Sequence, residues 1–91
     1  MSATMRIIPS LRKFTGGQAE VQVSGSTVAE CIEDLEIQFP GIKHQIFEED
    51  GKLRSCFDVY VNSPDSFSYE RLAMPVKNGG ELAVIPVFGG G

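Results

Sequence analysis

The sequence predicts an α+β domain: one mixed sheet with a single helix packed across one face. Two observations carry this. Short alternating or apolar runs lie at both ends and in the middle of the chain. The clearest is Leu53 to Asn62, where the odd positions Leu53, Phe57, Val59 and Val61 are apolar and the even ones mixed polar. Between these runs, Val28, Cys31, Ile32, Leu35 and Phe39 recur at helical spacing, directly behind the helix-start signature Thr27-Val28-Ala29-Glu30.

Taken in order, Met5 to Arg12 reads as a first strand, made irregular or placed at an edge by Pro9. Thr15-Gly16-Gly17-Gln18 is a turn, and Ala19 to Ser24 a half-buried strand with Ala19, Val21 and Val23 inward. The two form a hairpin with a glycine-rich loop. Thr27 caps the helix and Glu30 reaches back to its start. Pro40-Gly41 stops the helix, and Ile42 folds back onto its apolar face. Glu48-Glu49-Asp50-Gly51 is a solvated acidic turn without the ligand spacing of a calcium loop. In the strand that follows, the odd set faces the helix, which leaves Cys56, Asp58 and Tyr60 on the open face. Asn62 to Ser66 is a turn, Phe67 to Tyr69 a short strand, and Arg71 to Met74 a short strand or one helical turn. After the turn Asn78-Gly79-Gly80, Leu82 to Ile85 forms the last strand, and Pro86 ends or edges the sheet. A helix between two hairpin-like halves lets the first and last strands lie side by side, parallel, in the middle of the sheet. That arrangement is the β-grasp, or ubiquitin-like, fold.

Composition narrows the function. Ninety-one residues make one domain, 1–91, with 88–91 expected as a flexible tail, and the 42% apolar content suits a folded chain. A net charge of −4 without a basic cluster argues against nucleic acid and suits a partner with a positive docking surface. No segment resembles a signal peptide and no run approaches membrane-spanning length, so a cytoplasmic monomer away from the membrane is expected. Cys31 and Cys56, in no CxxC pattern, read as free thiols.

Side chains that could perform chemistry are few. Cys31 falls on the helix's apolar face and reads as core. Cys56 has no predicted base beside it to lower its pKa. His44 is the one histidine and has no partner for a metal. Gly16-Gly17 and Gly79-Gly80 are turn pairs and belong to no phosphate-binding loop, so no bound cofactor is expected. The tail is different. Past Pro86, Val87 and Phe88, the sequence continues as Gly89-Gly90-Gly91. Glycine has no Cβ, so this stem can pass where other residues cannot. A carboxylate on Gly91 could enter a partner's active site, be activated as an acyl-adenylate and meet a sulfur or nitrogen nucleophile. The chain would then be a carrier and substrate, not an enzyme.

At this point the sequence resembles the MoaD/ThiS family of sulfur carriers, and its CysO-type members most. The resemblance rests on Leu11-Arg12 with Thr15-Gly16-Gly17, on Thr27-Val28-Ala29-Glu30, on Phe39-Pro40-Gly41-Ile42, on Val59-Tyr60-Val61-Asn62 and on the ending Pro86 to Gly91. Gly89 stands where the family often has Ala. Counting from Pro86, the family's terminal pair falls on Gly90 and Gly91, and trimming to Gly90 stays open. The resemblance implies that a MoeB/ThiF-type enzyme uses ATP to adenylate the Gly91 carboxylate. A sulfur donor then makes the thiocarboxylate, and a downstream synthase accepts the sulfide. Cysteine or another sulfur amino acid is the first expectation for the product; molybdopterin, thiamin or a secondary metabolite are the others. Two alternatives stand beside it: a modifier joined to lysines through Gly91, and a β-grasp interaction module without chemistry. The expected partner-binding surface is Tyr60 and Asp58 with Pro86, Val87 and Phe88 at the root of the tail.

Overall fold

The computed structural model describes residues 2–62, 72 and 74–86. Four strands, β1 (Ser2–Arg6), β2 (Glu20–Ser24), β3 (Phe57–Val61) and β4 (Gly80–Pro86), form one sheet in the order β2-β1-β4-β3. β1 and β4 are the central pair and run parallel, with Met5 opposite Leu82; the outer pairs are antiparallel. This is the β-grasp arrangement expected from the order of elements.

The first strand is not where the sequence placed it. It runs over Ser2–Arg6, and Pro9–Phe14 forms a 3₁₀ helix. Pro9 is the reason: its fixed φ suits the first turn of a helix, and its lack of an N–H costs nothing there. Ile8 before it is extended, and Leu11 drops into the core. The return turn is closed by the buried Thr15, whose hydroxyl lies 3.1 Å from Arg12 O and 2.9 Å from Gln18 O.

Helix α1 (Val28–Gln38) follows the expected pattern, burying Val28, Cys31, Ile32 and Leu35. Thr27 Oγ1 accepts from Glu30 N at 3.2 Å. Glu30 reaches back one residue beyond the usual partner, accepting from Ser26 N at 2.9 Å and Ser26 Oγ at 3.0 Å. Ser26 and Val28 are also tied to the segment before β4, through Val76 N to Ser26 O and Val28 N to Met74 O.

A second helix, α2 (Ile42–Ile46), was not foreseen. Its left-handed entry residue is Gly41, with φ 104°. Ile42 and Ile46, four apart and both buried, are the signal that could have found it. The acidic turn is as expected: Gly51 N donates to Glu48 O at 2.9 Å. The strand after it starts later than expected. Arg54 N donates to Ile46 O and Phe57 N to Arg54 O, so residues 54–57 turn, and Leu53 only bridges Phe47. Cys56 is therefore exposed in a turn before β3 rather than on the sheet. The elements expected over 63–71 lie outside the described residues. Of the segment that follows, Leu72 packs against the core and Met74 is buried in it.

The core lies between the sheet and the helices. Ala3, Met5, Val21, Val23, Val59, Val61, Leu82 and Val84 meet Val28, Ile32, Leu35, Ile42 and Ile46 in one cluster. Among the described residues, no helix is long and apolar enough to cross a membrane.

Candidate functional site: the open sheet face

Alternation along each strand sorts the sheet into two faces. With Met5, Val59, Leu82 and Val84 turned to the core, Thr4, Arg6, Glu20, Gln22, Asp58, Tyr60, Glu81, Ala83 and Ile85 turn away from the helices. The pairing sets their neighbours. Ala83 lies between Arg6 on β1 and Tyr60 on β3, and Ile85 lies opposite Asp58.

This face has two halves. On one side Arg6 Nε donates to Glu81 Oε1 at 2.6 Å, and Arg6 Nη1 stands 3.6 Å from Glu20 Oε1. The two carboxylates, Glu81 above all, raise the guanidinium's pKa and hold it as a cation. Gln22 Nε2 donates to Thr4 Oγ1 at 2.9 Å. On the other side Tyr60, Ala83 and Ile85 form an apolar surface, with Asp58 beside Ile85. Tyr60 is 51% exposed and Ile85 37%, while Ala83 between its flanking neighbours is only 7% exposed. Two of the three exposed large hydrophobic residues in the described chain thus lie on this face, close to where β4 hands over to the tail.

The predicted site residues divide accordingly. Asp58 and Tyr60 are on the open face, and Asp58 Oδ1 accepts from Val59 N at 2.8 Å. Pro86 is exposed but pairs with Phe57, so it belongs to the opposite face of the strand. β1 pairs β4 only as far as Ala83, so Pro86 stands where one flanking strand has ended. Val87, Phe88, Gly89, Gly90 and Gly91 lie outside the described residues. Sequence reasoning missed Arg6, Glu81, Ala83 and Ile85. The signal for Ala83 and Ile85 was available: with Leu82 and Val84 inward, alternation puts them outward, but the unbroken apolar run Leu82 to Ile85 reads as buried on both faces.

Cys31 and His44 are placed as the sequence implied. Cys31 is fully buried, and burial, with Asp34 and Glu30 nearby, pushes its thiol pKa up, the reverse of what a nucleophile needs. His44 is exposed on α2. Among the described residues no group of acidic, His or Cys side chains could hold a metal.

The model of the ThiS family matches residues 5–91 of this chain. The sulfur carrier protein CysO of Mycobacterium tuberculosis is 34% identical over 93 residues, with all of both chains covered. A chain in the crystal structure of the Amycolatopsis orientalis BexX/CysO complex superimposes with a TM-score of 0.83 at 38% identity, covering 98% of this chain and 99% of that one. The small archaeal modifier protein 1 of Haloferax volcanii shares the fold, with a TM-score of 0.78 at 24% identity over both full chains. Full-length likeness in sequence, in fold and in the family match over residues 5–91 leads to one conclusion: the chain belongs to the ThiS family.

Proposed function

We propose that this protein is a sulfur carrier, with the Gly91 carboxylate as its working group. The observation that carries this is the 34% identity to CysO over the whole of both chains, with the family match running through Gly91. A MoeB/ThiF-type partner adenylates the carboxylate with ATP, pyrophosphate leaves, and a sulfur donor displaces AMP to give the thiocarboxylate. The chain does no catalysis itself and holds no cofactor; ATP belongs to the partner. Physical chemistry requires the activation. An α-carboxyl has a pKa of about 3.3–3.7, so at neutral pH it is an anion and a poor electrophile. Synthesis of cysteine is the favoured destination of the sulfide, in keeping with the CysO relatives.

The fold supports this division of labour. β4 is held by β1 as far as Ala83 and by β3 as far as Pro86, so the strand that leads to the tail is anchored in the sheet. The Tyr60–Ala83–Ile85 surface on that part of the sheet supplies a patch on which an activating enzyme can settle while it encloses the glycine stem.

The test is intact mass of the protein purified from its own host, joined to ATP-dependent pyrophosphate release with the cognate activating enzyme. Exchange of one oxygen for sulfur at Gly91, and loss of pyrophosphate release when one residue is appended after Gly91, are the expected results. A ladder of larger adducts on lysines would instead make the protein a modifier. Equal activation of the extended chain without trimming would overturn the terminal-carboxylate mechanism.

A further inference from the structure

On the helix side of the sheet, away from Tyr60 and Ile85, two adjoining cavities of about 350 and 180 Å³ open between α1, α2 and the turn at Gly51. They share Lys43, Phe47 and Gly51 as common walls. The narrower one is apolar at its base, lined by Ala29, Ile32, Phe47 and Leu72. The wider one is bordered by the carboxylates of Glu36, Glu48 and Glu49, with Lys43 and the exposed His44 also on its wall. Some of this charge is already engaged. Glu33 pairs with Lys43, and Glu36 accepts from the main-chain N–H groups of Gly41 and Lys43, both at 2.9 Å. The side chains of Glu48 and Glu49 are exposed and make no hydrogen bond or ion pair among the described residues. The one lysine of the cleft is therefore neutralised, while two acidic side chains at its rim are not. These carboxylates do not gather into a metal-binding group. They border the wider cavity, next to the apolar walls of the narrower one, which suits ammonium or guanidinium groups carried beside an aliphatic side chain.

We propose that this cleft is a second docking site, taking an exposed segment of a partner protein in which an aliphatic side chain is flanked by Lys or Arg. The aliphatic group enters against Ile32, Phe47 and Leu72, and the flanking cations meet Glu48 and Glu49. Because the cleft lies on the helix side, a partner held there leaves the open sheet face free. The carrier can thus be gripped by one protein while another occupies that face. This site stands independently of how the tail is activated.

The probe is the acetylated, amidated peptide Arg-Leu-Lys-Leu-Arg, titrated against the full chain and followed by amide chemical shifts. Saturable shifts are expected at Ile32, Lys43, Phe47 and Gly51, fading as salt rises. The same peptide with Glu at every basic position should leave them unmoved. Glu48→Gln with Glu49→Gln, both on an exposed turn where folding is not at stake, should weaken binding about threefold or more. Ala29→Gln, which extends a side chain into the narrower cavity, should weaken it as well. Shifts centred instead on Tyr60, Ala83 and Ile85, equal binding of the Glu peptide, unchanged affinity of the doubly neutralised chain, or no saturable shift up to roughly millimolar peptide would overturn the proposal.

Discussion

The side-chain amide of Gln38, in the last turn of α1, donates to the main-chain oxygen of Gln22 on β2 at 2.8 Å. The same Nε2 also donates to Asp34 Oδ2 at 2.9 Å, and Asp34 Oδ2 accepts from Ser24 N at 3.0 Å. β2 is an outer strand of the sheet. An uncovered outer strand offers its main-chain groups to any passing strand, and natural sheets block this in several ways. Here two side chains, four residues apart on one helix, occupy two of those groups. Gln38→Ala should cost about 0.5–1.5 kcal/mol, the net worth of an ordinary hydrogen bond. Urea denaturation of the two chains measures it. An unchanged midpoint would show that water replaces the amide without loss.

Gly25 separates β2 from α1 where the chain passes closest to the helix. A Cβ built on it would stand 2.8 Å from Cys31 N and 2.8 Å from Glu30 Cβ. One of these is main chain inside the first turn of α1, so the clash cannot be relieved by turning a rotamer. Gly25→Ala should therefore destabilise by roughly 1–3 kcal/mol, the usual cost of overpacking. Gly16→Ala is an informative contrast. Nothing lies within 4 Å of its added carbon, but φ is +65°, so the penalty there is left-handed backbone strain of roughly 1–2 kcal/mol. Thermal denaturation of both variants checks the order, with Gly25→Ala expected to melt no higher than Gly16→Ala.

These relationships show how much of the molecule was legible beforehand. The helix was written plainly, because its apolar period, its Thr27 cap and its Pro40-Gly41 stop all point to one answer. The central parallel pair followed from the order of elements alone. The first strand was misplaced because Met5 to Arg12 is mostly apolar, whichever structure it adopts, and Pro9 fits the first turn of a 3₁₀ helix as well as it fits a sheet edge. α2 was missed because five residues are too short to show a period. The candidate site was half legible. Asp58 and Tyr60 came from alternation in β3. The Arg6–Glu81 pair, 75 positions apart in sequence, exists only because β1 and β4 are neighbours, and no local pattern announces it.

The joint between α1 and α2 should be sensitive to acid. The Glu36 carboxylate accepts from Gly41 N and Lys43 N, and these hydrogen bonds lower its pKa. A carboxyl whose folded pKa lies below its unfolded value binds protons more readily when unfolded. Its contribution is then complete above the unfolded value, about 4.3 for Glu, and is lost as pH falls through the lower folded value. Glu30, lowered by its hydrogen bonds to Ser26, acts in the same sense. Stability should thus hold from neutral pH to about 5 and decline below it. Glu36→Gln should be less stable at neutral pH and show a shallower acid decline. Urea midpoints across that pH range decide it. Parallel profiles for the two chains would remove Glu36 from the acid response.

The open face makes the most direct demand on function. Ile85 is 37% exposed, pairs with Asp58, and immediately precedes Pro86, the last paired residue of β4, so it lies one residue from the end of the sheet. If an activating enzyme settles on this face, Ile85 and Tyr60 are its apolar anchors, and such anchors carry most of an interface's energy. Ile85→Thr keeps a β-branched side chain suited to a strand and should leave the fold within about 1 kcal/mol of wild type. Tyr60→Ser changes a half-exposed side chain on an outer strand. Each should weaken binding of the cognate activating enzyme by about 1–3 kcal/mol, or roughly 5- to 150-fold. Gly90→Val supplies the contrast. It adds a side chain to the stem and should leave docking nearly intact while slowing adenylation, since misplacing a reacting group by about 1 Å can cost a hundredfold in rate. Binding is read by titration calorimetry without ATP, and adenylation by pyrophosphate release. The face variants should fail the first measurement and the stem variant the second. If Ile85→Thr and Tyr60→Ser bind as tightly as wild type, the enzyme holds the tail alone, and the open face has no part in activation.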